Sequence, residues 1–136
     1  MTTRPFVLCA LSLTLACAWM AYPAAHHSFA MYDAAKPVTL RGRVATFRWI
    51  NPHSVFTITA DDDGAVWAIE LSSPSNMTRI GWSRTTLAVG DHVEVSVSPM
   101  RDGSKGAACR QLKFLDKNVM LECGSATAIH VGEKEN

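Results

Sequence analysis

Two hydrophobic patterns divide this chain. Residues 6–21, FVLCALSLTLACAWMA, form one almost unbroken apolar run. From Val38 onward, apolar residues recur at every second position instead, the period of a half-buried strand. Val38, Leu40 and Val44 share one parity, and Phe47 and Trp49 share the other. A long first strand whose buried face switches midway predicts a bulge near Gly42 to Ala45. Val55 to Thr59, β-branched and aromatic, predicts a second strand. Asp61 to Gly64 reads as a turn, since Asp-Gly readily supplies positive φ. Trp67, Ile69 and Leu71 then alternate with Ala68 and Glu70 in a third strand.

The period changes after Leu71. Ser72 to Ser75 punctuates the chain, Ser75 to Ile80 has room for one or two helical turns, and Gly81 can stop them. Trp82 and Leu87 read as plugs that return to the core. Val93, Val95 and Val97 alternate with polar residues in the cleanest strand of the chain. Leu112 and Phe114 mark a fifth strand, Asp116 to Asn118 a turn, and Val119 to Leu121 a sixth. Strands broken by a short helix between the third and fourth predict an all-β fold with small α content. It is an OB-like Greek-key barrel of five to six strands. An immunoglobulin-like sandwich, the alternative, wants about seven strands and no helix.

The apolar run at the start changes the picture of compartment. Arg4 precedes it, small residues and Pro23 follow it, and about sixteen residues is short of the roughly 20 that span a bilayer. Residues 1–25 therefore read as a signal peptide, residues 26–123 as the barrel domain and residues 124–136 as a polar tail. The expected location is the periplasm, with no stable membrane insertion after cleavage. The cleavage zone is Ala24-Ala25, although neither Pro23 nor Tyr22 is the small residue preferred three positions before a cut. Cys17 stands in a poor lipoprotein box. The chain has 13 Lys and Arg against 12 Asp and Glu, and removal of Arg4 makes the balance neutral. Neutrality argues against nucleic acid as a partner.

Cleavage after Ala25 makes His26 the amino terminus, with His27 beside it. A terminal histidine offers one metal ion both its α-amine and its imidazole. His53 can add a second imidazole, and a nitrogen-rich set suits Cu(II). Cleavage after Ala24 leaves Ala25-His26-His27, which binds Cu(II) or Ni(II) through the amine, two amides and the third-position imidazole. The plainer alternative is a soluble start with no metal. Trp49-Ile50-Asn51-Pro52-His53 ends a strand and reads as a barrel rim, where Trp49, Asn51, Trp82, Glu70 and Arg101 are the candidate ligand residues. A buried Glu70 demands a partner, and Arg79 or Arg101 can serve. His92 and His130 read as incidental, and Asp61 to Asp63 as a solvated turn without the spaced ligands of a calcium loop.

Four motifs taken together resemble a known group. They are His26-His27-Ser28-Phe29, Asn51-Pro52-His53, Gly81-Trp82 with Val89-Gly90-Asp91, and Arg101-Asp102-Gly103-Ser104. In combination and order they are similar to an uncharacterised family of small exported bacterial proteins, each a leader followed by an OB-like barrel. That resemblance covers nearly all of residues 26–122 and implies export and the barrel, but no activity. Cys109 and Cys123 stand apart from it.

Those two cysteines are the pair left after the leader is removed, and an exported chain meets an oxidising compartment. A hairpin centred on Asp116 sets 112 opposite 120, 114 opposite 118 and Cys109 opposite Cys123. That register predicts a disulfide; the rival is a pair of thiolate ligands for Cu(I). No GxSxG elbow or HExxH helix is present, so no catalytic residues are named and binding is expected rather than catalysis. The leading expectation is a periplasmic copper or transition-metal binding protein using His26, His27 and His53. The alternative is a non-metal structural module of the envelope that recognises a partner protein or small ligand. A copper-dependent oxidase or oxygenase using the same histidines is a third, weaker option.

Overall fold

The alternation read along the chain becomes six strands in the computed structural model, which describes residues 29–124. A 3₁₀ turn at Phe29–Met31 leads into β1 (Val38–Arg48), β2 (Val55–Ala60) and β3 (Val66–Glu70). A short helix, α1 (Pro74–Arg79), precedes β4 (His92–Pro99), β5 (Gly106–Phe114) and β6 (Val119–Glu122). Neighbouring strands run in the order β3-β2-β1-β4-β5-β6, and a further parallel pairing of β3 with β5 closes the first five into a barrel. β6 lies outside that closure and pairs with β5. The OB-like plan, with its helix between β3 and β4, is the one the pattern predicts.

β1 serves both halves of the barrel. Its first half pairs with β4 from Val38↔Val97 to Arg43↔His92, and its second half with β2 from Gly42↔Ala60 to Arg48↔Val55. The register slips between Val44 and Thr46, so Ala45 is the extra residue of a bulge. This is the predicted parity switch, with Val44 buried on one side of it and Phe47 half-buried on the other. Gly42 lies where β1 passes closest to β2. A Cβ there would sit 2.3 Å from the carbonyl oxygen of Thr59, which is backbone and cannot move aside.

Val44, Phe56, Ile58, Ile69, Val93, Val95, Val97, Leu112 and Phe114 fill the barrel. The helix follows β3 and buries Met77. Ser73 caps it by accepting from the amide of Asn76, Pro74 begins it, and Gly81 at φ 94° ends it. Met77, Trp82 and Leu87 all turn into the core.

The last hairpin corrects one expectation. Leu112 faces Leu121, and Phe114 faces Val119, one residue away from the predicted register. The cysteines nevertheless meet, with their sulfurs bonded and their Cα atoms 5.6 Å apart. The reason is a second bulge. β5 pairs Gln111 with Ser96 but Cys109 with Val97, leaving Arg110 as the extra residue. That residue turns Cys109 onto the same inner face as Leu112, so the bulge offsets the slip. Both cysteines are fully buried.

On the outer surface, Glu70 alternates with the inward Ile69. Its cross-strand neighbours Ala108 and, beyond that, Ser98 lie on the same outward row. Ala108 and Ser98 are nonetheless buried. The entering chain, residues 29–36, docks beside the end of β4 as a strap: Tyr32 bridges to Met100, and the amide of Asp33 donates to the carbonyl of Pro99.

Candidate functional site

Beside the turn at Asn51 to His53 lies a polar cluster drawn from three separate parts of the chain. β3 ends at Glu70, directly across from Val55 at the start of β2. That pairing places the Glu70 carboxylate beside the residues just ahead of β2. There Oε1 of Glu70 pairs with Nδ1 of His53, and Oε2 accepts a 3.0 Å hydrogen bond from the hydroxyl of Tyr32. Both the imidazole and the carboxylate are about one-third exposed, at 31% and 28%. The Tyr32 ring is buried. Burial first, and then the negative charge of Glu70, push its hydroxyl well above the ordinary tyrosine range, so it stays protonated and donating.

The electrostatic logic is simple. A carboxylate that accepts from a hydroxyl and an imidazole N–H has its lone pairs well used. In return it fixes the ring. A neutral imidazole that donates from Nδ1 carries its lone pair on Nε2, and it is held in one orientation. A carboxylate on the far nitrogen is also what metal-binding histidines commonly have behind them.

Arg79 and Arg101, expected as partners of Glu70, are not its partners. Arg79 lies exposed in α1. Arg101 turns to the strap instead. Its Nε donates to the carbonyl of Ala30 at 3.0 Å, its amide donates to Met31, and its guanidinium lies 3.8 Å from Asp33. Tyr32 takes the place expected of an arginine. The sequence offered one sign of this: a tyrosine just ahead of the first strand is apolar enough to bury and still needs a partner for its hydroxyl.

The other rim candidates divide. Asn51 is exposed, and its bond to Pro52 is cis. Trp49 is half-buried and stacks edge-on against Phe47 at 5.8 Å, and Phe47 in turn lies 6.5 Å from Trp82. Trp82 itself is no rim residue. It is 2% exposed, and its indole N–H donates to the carbonyl of Glu122, so it belongs to the core and cannot contact a ligand from solvent. His92, read as incidental, has a partner: its Nε2 lies 2.7 Å from Oδ2 of Asp61. His26 and His27 lie outside the described residues, as does His130. Among the described residues, no three His, Cys, Asp or Glu side chains gather as a metal site, and no helix is long and apolar enough to cross a membrane. With both sulfurs in a disulfide, Cys109 and Cys123 are not a thiolate pair for Cu(I).

Fold and site together define a mostly-β protein built on a closed five-stranded barrel, with a histidine–carboxylate–tyrosine cluster on its rim. The chain belongs to the family of unknown function DUF6152, which it matches over residues 14–109. That span takes in His26, His27, Tyr32, His53, Glu70 and Arg101, and it stops short of β6 and Cys123. No curated protein matches the chain.

Proposed function

We propose that this is an exported copper-binding protein whose site joins His53 to the histidines of the mature amino terminus, His26 and His27. The observation that carries the reading is the Glu70 carboxylate on Nδ1 of His53. It holds the ring from one side, as the outer partners of metal-bound histidines do. Chain length supports it too. His27 is five positions ahead of Tyr32, so the two Cα atoms are at most about 17 Å apart. Tyr32 shares Glu70 with His53. The terminal histidines therefore start within reach of the rim. Removal of residues 1–25 would free the α-amine of His26, giving an amine, its own imidazole and the His53 imidazole, a set that suits Cu(II).

The test uses protein recovered after export. Intact mass should place the amino terminus at His26, or at Ala25 as second choice. Cu(II) titration should then give a single tight site. His53→Ala should weaken it at least about tenfold, or 1.4 kcal/mol. An unchanged affinity in that variant would confine any site to the terminus. Absence of Cu(II) and Zn(II) binding at micromolar protein would instead favour the non-metal envelope module.

A further inference from the structure

We infer that Tyr32 is a positioning residue for His53, joining the orientation of that ring to the docking of the strap. As a statement about a copper ligand, the inference rests on the reading above. Its contacts run in two directions. Through its hydroxyl, Tyr32 holds Oε2 of Glu70, whose other oxygen holds Nδ1 of His53. Through its backbone it belongs to the strap, bridged to Met100 and flanked by the bonds from Arg101 to Met31 and from Asp33 to Pro99. One residue thus joins the carboxylate behind His53 to the strap. Its ring is only 8% exposed.

A carboxylate bound at only one oxygen can rotate about its terminal torsion, and the imidazole it holds then rotates as well. The Tyr32 hydroxyl occupies the second oxygen and removes that freedom. Its buried position keeps water from substituting for it. Glu70 is about one-third exposed, so the direction of its carboxylate depends on the strap being in place. If the strap lifts, the hydroxyl leaves Glu70, and the carboxylate that holds Nδ1 of His53 loses that restraint. Strap docking and the setting of that carboxylate are therefore linked.

The variants Tyr32→Phe, Glu70→Gln and His53→Ala test this on the mature protein. Tyr32→Phe keeps the buried ring and removes only the hydroxyl. Nitrogen-15 spectra of the imidazoles in the metal-free protein should show the His53 ring resonances moving in Tyr32→Phe and moving further in Glu70→Gln, while those of His92 stay put. Removing an outer partner of a metal-bound histidine lowers metal affinity by about 10- to 100-fold. Tyr32, one bond more remote, should cost about three- to tenfold in Cu(II) affinity, and nothing once His53 is alanine. Unchanged His53 resonances in Tyr32→Phe would overturn the inference whatever copper does. Resonances that move in a protein that binds no Cu(II) would uphold the positioning role and defeat the copper reading.

Discussion

Two pieces of chain are added to the closed barrel, and they are held by opposite means. β6 is joined to β5 by four register pairs, a buried disulfide and the buried Trp82 indole. Apart from the buried Tyr32 ring, the strap of residues 29–36 is joined by polar contacts: one isolated bridge, the Tyr32 hydroxyl, the Arg101–Asp33 ion pair and two arginines that donate to its carbonyls, Arg101 to Ala30 and Arg110 to Ala34. The Arg101 side chain is 58% exposed. Covalent and apolar attachments keep their strength, whereas polar contacts in water are screened and open at little cost. The lightly held piece is also the one that leads to the proposed metal ligands. A segment that must admit an ion is better placed there than under a staple.

The contrast can be broken most strongly at the staple. Replacing both Cys109 and Cys123 by serine should lower stability by about 3 kcal/mol, from the chain-entropy cost of the loop they close. For a domain of this size the melting temperature should fall by about 15 °C. Calorimetry with and without reductant reads it, and equal midpoints would show that β6 needs no cross-link.

The matching change on the strap should do far less to stability. Arg101→Ala removes a half-exposed donor, so global unfolding should shift by less than about 1 kcal/mol. Amide hydrogen exchange at residues 30–33 should nevertheless quicken, with β1 to β5 unchanged. Equal exchange in the two proteins would mean that Tyr32 alone seats the strap.

The smallest effect is one of pH. Asp102 caps its own turn: the amide of Ser104 holds its carboxyl below the ordinary carboxylate range, and the Ser104 hydroxyl adds to this. Because the folded value is the lowered one, this contribution is fully present above the unfolded value of about 4. It is lost as pH falls through the folded value. The loop that carries Arg101 should therefore loosen only in acid, with exchange at residues 102–104 rising before that of the barrel. A rise already present at pH 6 would point to another cause.

Much of the barrel was legible because one residue in two is apolar wherever one face is buried. The β1 bulge was legible for the same reason: Val44 and Phe47 cannot share a face without an extra residue between them. The disulfide was legible, although the register beneath it was not. Nothing in a run such as Cys109-Arg110-Gln111-Leu112 says which residue bulges until β4 is paired. The site was legible in part. A turn at Asn51-Pro52-His53 points to a rim, but the partner of Glu70 arrives from 38 positions away on the strap. No local period carries that information. Trp82 misled for a related reason. An isolated tryptophan after a helix reads as a plug or as a rim residue alike, and only its bond to Glu122 decides between them. The two described histidine–carboxylate pairs show the same limit. His53 engages Glu70 through Nδ1 and has Tyr32 behind the carboxylate, whereas His92 engages Asp61 through Nε2 on a more exposed aspartate. Their residue types alone would not tell them apart.

The bond from Trp82 also bears on how this molecule behaves in a crowd. β6 is the outermost strand, and an outer strand offers its backbone to any other strand that drifts near. The peptide unit between Glu122 and Cys123 is closed to such a visitor on both sides. Its N–H goes inward to the carbonyl of Arg110, and its carbonyl, pointing the other way, is taken by the indole. A side chain placed in the core to plug the barrel thus also closes one end of the strand that carries exposed Val119 and Met120, and so shortens the edge open to a second copy.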